Sequence, residues 1–155
     1  MNVEAQVTIN APKEAIWAVV TNIENATQNI SSIEKIEVLE KPASGIVGIK
    51  WRETRKIFGK TATEVMWITD AVENESYKTR AESHGTVYVC SFTIANQNGS
   101  NTLTMTHNSQ PLSFMAKMMM GTLGFMFKGT MRKMILKDLN DIKAAVEGQR
   151  SKQSV

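Results

Sequence analysis

The chain has little to cross-link or chelate with: one cysteine, Cys90, and two histidines, His84 and His107, in 155 residues. A single thiol makes no internal disulfide, and two histidines with one cysteine fall short of a structural zinc set. The expectation is a reducing, cytoplasmic setting with no metal and no other cofactor. Long apolar runs are missing too. The most apolar stretch, Pro111 to Phe127, has 17 residues and is interrupted by Lys117, whereas crossing a bilayer takes about 20 with few charges. No integral membrane span is expected, and Pro111 to Phe127 reads instead as a buried or partner-facing helix. The first residues, Met1-Asn2-Val3-Glu4-Ala5-Gln6-Val7, carry an acid where a signal peptide has a basic segment, so export is not expected.

Charge and methionine are both unevenly spread. Seven of the 18 basic residues fall in 128–152 beside only three acids. A solvated helix face accounts for that excess, no nucleic-acid motif accompanies it, and nucleic acid is not expected as a partner. Seven of the ten methionines lie between Met115 and Met134. Methionine is flexible and polarizable, which suits a pocket for varied apolar ligands, but it also fills ordinary cores.

Periodicity gives the order of elements. Val3, Ala5, Val7 and Ile9 alternate with Glu4, Gln6 and Thr8, the pattern of a half-buried strand. Asn10-Ala11-Pro12 then offers a capping residue and a proline suited to a first helical turn. Ala15, Ile16, Val19 and Val20 follow at helical spacing, and Ile23, Ala26, Thr27 and Ile30 repeat it after a bend near Thr21-Asn22. Six strand-like runs come next, at Ile33 to Glu40, Gly48 to Arg55, Lys60 to Thr69, Ser76 to Ser83, Thr86 to Ile94 and Thr102 to Asn108. The links between them are short and carry turn residues, which predicts an antiparallel meander. After Pro111 the helical period returns, with Met131, Met134, Ile135, Leu139, Ile142, Ala145 and Val146 on one face. A helix from Leu112 to Glu147 would be about 54 Å long, while a domain of this size has a radius of gyration of only about 15 Å. A kink or break near Gly121, Gly124 or Gly129 is therefore expected, and the polar tail 148–155 is expected to be disordered.

In that element order, and in Ile9-Asn10-Ala11-Pro12-Lys13-Glu14-Ala15-Ile16-Trp17, Gly48-Ile49-Lys50-Trp51-Arg52-Glu53-Thr54, Glu64-Val65-Met66-Trp67-Ile68 and Asp138-Leu139-Asn140-Asp141-Ile142-Lys143, the chain resembles the SRPBCC superfamily. These are the START-like and birch-pollen-allergen-like helix-grip proteins, and the likeness is closest to the bacterial polyketide cyclase/dehydrase-type branch. The resemblance covers roughly Val3 to Glu147, and 1–147 is read as one domain. It implies an α+β fold in which a curved seven-stranded antiparallel sheet wraps a long C-terminal helix around an apolar cavity, with two short helices after the first strand. It implies no single reaction, since members include lipid carriers, receptors, cyclases and aromatases, and it brings no catalytic motif that transfers residue by residue.

Strand alternation proposes the cavity lining. The inward sets are Ile49, Trp51 and Glu53; Glu64, Met66 and Ile68; Tyr77, Thr79, Ala81 and Ser83; Tyr88, Cys90, Phe92 and Ile94; and Leu103, Met105 and His107. A slip of one residue would exchange each set for its neighbours. Ligand contacts are expected from Trp51, Met66, Tyr77, Tyr88, Phe92, Met105 and His107. The resemblance, which sets the start of the last helix beside the cavity mouth, adds Phe114, Met118, Met119 and Leu123. Glu53, Glu64, Tyr88 and His107 are the candidates for acid-base chemistry, although acids paired with Arg52, Arg55 or Arg80 are the commoner case. His84 fits a solvated turn and Cys90 inert packing. Gly124 to Thr130 has the glycine spacing of a phosphate loop but a threonine where the lysine belongs, so that motif fails. The leading expectation is a carrier or receptor for a small apolar molecule such as a lipid, isoprenoid or polyketide-like compound. A cyclase, dehydratase or aromatase is the rival. A third reading is an interaction module presenting the Met-rich helix as an exposed patch. Ligand identity and oligomeric state stay open.

Overall fold

In the computed structural model, which describes residues 1–153 with side chains through Gln149, three hairpin turns share one chemistry. Phe58-Gly59, His84-Gly85 and Asn98-Gly99 all have positive φ at both positions, the geometry that matches the twist of two antiparallel strands. Gly85 has a second reason to be glycine. A Cβ there would lie 2.4 Å from Ser113 Oγ, so the close approach of the last helix requires its absence.

The chain opens with β1 (Asn2–Ile9), followed by α1 (Lys13–Val20), a 3-10 turn (Ile23–Asn25) and α2 (Ala26–Asn29). Six strands come next: β2 (Ile33–Glu40), β3 (Lys50–Ile57), β4 (Lys60–Val72), β5 (Ser76–Ser83), β6 (Thr86–Gln97) and β7 (Ser100–Pro111). The last element is α3 (Phe114–Gln153). All seven strands form one sheet in the order β1-β7-β6-β5-β4-β3-β2, with every neighbouring pair antiparallel. This is the curved helix-grip arrangement of the α+β class. The register agrees with the inward sets read from alternation: Trp51 faces Met66, Glu53 faces Glu64, Tyr77 faces Phe92 and Cys90 faces His107 across the sheet.

The core lies between that inner face and the second half of α3. Ile135, Leu139, Ile142 and Val146 are buried at helical spacing, and they meet Val3, Ala5, Ile9, Ile94 and Leu103 together with Ile16, Val19 and Val20 of α1. Tyr77 ties sheet to helix, since its hydroxyl donates to Val20 O at 2.9 Å while its ring stacks on Phe92 at 4.9 Å.

Three expectations are corrected. Pro12, not Asn10, occupies the cap position of α1, with no side-chain cap; the Asn10 N–H instead donates to Glu147 Oε1 at 2.9 Å. The last helix does not break at its glycines. It is a single element of 40 residues, about 60 Å long, and a Cβ at Gly121 or Gly129 would meet nothing within 4 Å, so neither glycine makes room for a neighbour. The expected disordered tail from Gly148 is helical as far as Gln153, and its last two positions, 154–155, lie outside the described residues.

The two halves of α3 thus differ in what they bury, and substitution separates them. Leu139, fully buried, should cost about 2–5 kcal/mol as Leu139→Ala. Phe125, 94% exposed, should change stability by about 0.5 kcal/mol or less as Phe125→Ala. Urea unfolding of both variants checks the contrast.

Candidate functional site

Small side chains on the inner face leave space beneath α3. Thr79, Ala81 and Cys90 sit near the middle of the ladder, where larger residues would meet the helix. The result is a cavity of about 380 Å³, within the size range of small-molecule sites. Its apolar wall comes from Trp51, Met66, Tyr77, Phe92 and Met105 on the sheet, Met131, Met134, Ile135 and Ile142 on α3, and Val19, Val20, Ile23 and Ile30 on and after the short helices.

Two polar groups interrupt this wall. The first is built on Arg55. Its Nε donates to Glu53 Oε1 at 2.8 Å and its Nη1 to Asp138 Oδ2 at 2.8 Å. The other oxygen of Glu53 accepts from the Trp51 indole at 3.3 Å, and that of Asp138 accepts from Ser32 Oγ at 2.9 Å. Burial works against the charge of Arg55, but the two carboxylates more than offset it and hold the guanidinium firmly protonated. Both oxygens of Glu53 are therefore engaged, which makes it a structural acid. Glu64, directly across from Glu53, has no such partner. Burial first, and then the charge of Glu53, raise its pKa above the ordinary 4.5, against weaker opposing effects of Arg55 and His84. Its surroundings thus shift it toward the protonated form.

The second polar group is Cys90 with His107. Sγ and Nδ1 lie 3.0 Å apart, and the Tyr88 ring is 5.7 Å from that of His107. Burial pushes the Cys90 thiol up to about 12, with Glu64 and Glu53 adding to the rise and a Thr79 hydrogen bond opposing it. Burial also lowers His107, helped by the N-terminal ammonium and Arg55. Which of Sγ and Nδ1 donates depends on the imidazole tautomer, and the buried Nε2 has no hydrogen-bond partner among the described residues. A thiol this hard to ionise is not a nucleophile.

Of the expected ligand contacts, Trp51, Met66, Tyr77, Tyr88, Phe92, Met105 and His107 all line the cavity, as do Glu53 and Glu64. Phe114, Met118, Met119 and Leu123 do not. They stand on the first half of α3, exposed by 76%, 55%, 64% and 40%. His84 is exposed in its turn, at the rim. The sequence reading missed Asp138 and the wall supplied by the short helices. The spacing of Val19, Val20, Ile23 and Ile30 was its visible signal. Among the described residues no cluster of three or more metal-ligating side chains occurs.

Comparison with known proteins gives one family and one fold. The family model described as polyketide cyclase/dehydrase and lipid transport matches residues 1–147. Among curated proteins none matches. Among solved structures, a protein of Thermus thermophilus superposes with a TM-score of 0.79 at 15% identity, over 96% of this chain and 99% of that one. The Zhui aromatase/cyclase of a Streptomyces species gives 0.73 at 16%, over 95% and 93%. A START superfamily protein of Mycobacterium smegmatis gives 0.68 at 18%, over 99% of each chain. At these identities the likeness is one of fold.

Removing the central cation should be severe: Arg55→Met leaves the buried Glu53 and Asp138 without their partner and should cost about 3–5 kcal/mol in urea unfolding. Glu64 carries a pH signature. A carboxyl whose pKa is raised by folding stabilises the protein below its unfolded value, and that contribution is lost as pH rises through the folded value. The stability difference between wild type and Glu64→Gln should therefore move against wild type from about pH 4.5 upward, as read by unfolding midpoints across pH 4 to 8.

Proposed function

Because the chain belongs to the polyketide cyclase/dehydrase and lipid transport family, we propose that it binds a small, mainly apolar molecule between the sheet and α3. A lipid, an isoprenoid or a polyketide-like compound has the required chemistry. The observation that carries this reading is the cavity of about 380 Å³ with its aromatic and methionine wall. An apolar body is held by Trp51, Phe92 and Met105, while oxygen atoms of the ligand find Glu64 at one place and the His107 to Tyr88 corner at another. The lone cysteine, with its un-ionised thiol, suits a cytoplasmic carrier or receptor.

A second reading rests on Glu64. A carboxyl whose pKa is raised by burial and by a neighbouring carboxylate has the direction of shift that suits a general acid, and it supports a cyclase or dehydratase acting on a poly-β-keto chain with Tyr88 or His107 as partner. In that case Glu64→Gln abolishes turnover and leaves ligand capture intact.

Native mass spectrometry of the purified protein should show a copurified apolar species, and a fluorescent fatty acid should be displaced by added lipid. Thr79→Phe, which fills the cavity from the middle of β5, should weaken fatty-acid binding by roughly tenfold or more. No copurified species together with no fatty-acid binding would overturn the reading.

A further inference from the structure

The fully buried side chains of α3 all lie in its second half, from Ile135 to Val146. Between Leu112 and Phe127 the large apolar side chains stand in solvent, with Phe125 94%, Met115 79% and Met126 74% exposed. The spacing of Phe114, Met115, Met118, Met119, Phe125 and Met126 places them on one helix face. Ala116, Met120 and Gly124, four residues apart, form the narrow half-buried line that touches the body. Single exposed apolar residues are ordinary, whereas a contiguous face of this length marks an interaction surface.

The charges select the partner. From Leu112 through Lys137 the chain has five cations, Lys117, Lys128, Arg132, Lys133 and Lys137, and no acid. Arg132 and Lys133 come seven residues after Phe125 and Met126, so along the outward face an apolar segment passes directly into a cationic one. That sequence suits a helix lying at a bilayer surface, apolar groups at the acyl boundary and cations at anionic headgroups. A second copy of the chain would bring the same cations toward each other. Crossing is excluded for the described residues, since no helix is long and apolar enough.

Position adds a further argument. Leu112 N and Ser113 N donate to Gly85 O at 2.7 and 3.2 Å, which anchors the start of α3 to the β5–β6 turn. His84 of that turn is at the rim of the cavity. The apolar face therefore begins where the cavity meets the surface.

We propose that the first half of α3 docks the protein on an anionic lipid surface, with its Phe and Met side chains at the headgroup boundary and Lys117, Lys128, Arg132 and Lys133 on the headgroups. This goes beyond the ligand reading and does not depend on it.

Cosedimentation with large unilamellar vesicles tests it, using phosphatidylcholine alone and phosphatidylcholine mixed with phosphatidylglycerol. Wild type should partition onto the mixed vesicles and weakly onto the neutral ones. Lys117→Gln and Lys128→Gln should each weaken partition roughly fivefold, and the Phe125→Ser, Met126→Ser double variant roughly tenfold or more. All four side chains are exposed, so unfolding midpoints should stay at the wild-type value. Thr79→Phe, which blocks the cavity, should keep wild-type partition, which separates failure of docking from failure of ligand binding. Equal partition onto both vesicle types, or equal partition of wild type and the double variant, would overturn the proposal. So would a light-scattering dimer that the double variant dissolves while vesicles capture nothing.

Discussion

A single guanidinium joins the two layers of this protein. Arg55 comes from β3, Asp138 from α3 and Glu53 from the same strand as the arginine, and the three lie in direct hydrogen-bond contact. A buried ion pair of this kind gains little over an apolar replacement in net free energy, but it loses heavily when one member is removed. Its value is directional. The planar fork donates to one carboxylate from Nε and to another from Nη1, and that ties a fixed point of α3 to β3. The loop before β2 is tied to the same stretch of helix: Ser32 donates to Asp138, and Ser31 donates through both N and Oγ to Asp141 Oδ2 at 3.0 and 2.8 Å. With α3 held there, Ile135 and Leu139 reach the core, and Met131 and Met134 close the roof of the cavity.

The cavity follows from this placement. Protein interiors are close-packed, and an empty apolar space costs about 24 cal/mol for each Å³ that is not filled. Here the helix is held away from Thr79, Ala81 and Cys90 by the ion-paired layer at one end and by the Tyr77, Phe92 and Trp17 rings at the other. Trp17 and Tyr77 meet edge to face at 6.0 Å. Those contacts prevent the sheet and helix from collapsing into the gap, so the fold maintains a space whose filling is favourable. The polar groups around it divide by the same logic. Glu53 and Arg55 are fully engaged in holding the walls, and Glu64, Tyr88 and His107 retain hydrogen-bonding capacity that a ligand can use.

Much of this was legible in the residues. Alternation proposed an inward set on each strand from Trp51 to His107 but left a one-residue slip open on the earlier strands, and only the pairing of Trp51 with Met66 and of Glu53 with Glu64 fixes that register. The glycine turns and short links specified an antiparallel sheet. Asp138 was less visible, since an acid within an apolar helical stripe has no periodic signature; only its partner across the fold explains it. The roles of Glu53 and Glu64 were symmetrical in the sequence, both being acids on inward positions of adjacent strands. They separated only when Arg55 and Trp51 were found on one of them.

The first half of α3 was misplaced for a different reason. Burial is read from sequence by contrast between faces, and from Phe114 to Phe127 there is almost none: apolar residues occur on nearly every side of the helix. The same composition fits a helix buried all round or one that projects apolar side chains into solvent. A helix of about 54 Å is long for so small a domain, which led to the expectation of a bend at glycine; the helix instead stays continuous and leaves its first half largely uncovered. Helical hydrogen bonds are satisfied within the helix whether or not its surface is covered, so extending it leaves no backbone group unpaired. A bend near Gly121 or Gly124 would have broken some of them. The outward face thus carries a hydration cost that the fold itself does not relieve, and with no acid between Leu112 and Lys137 its charge favours surfaces that accept positive groups.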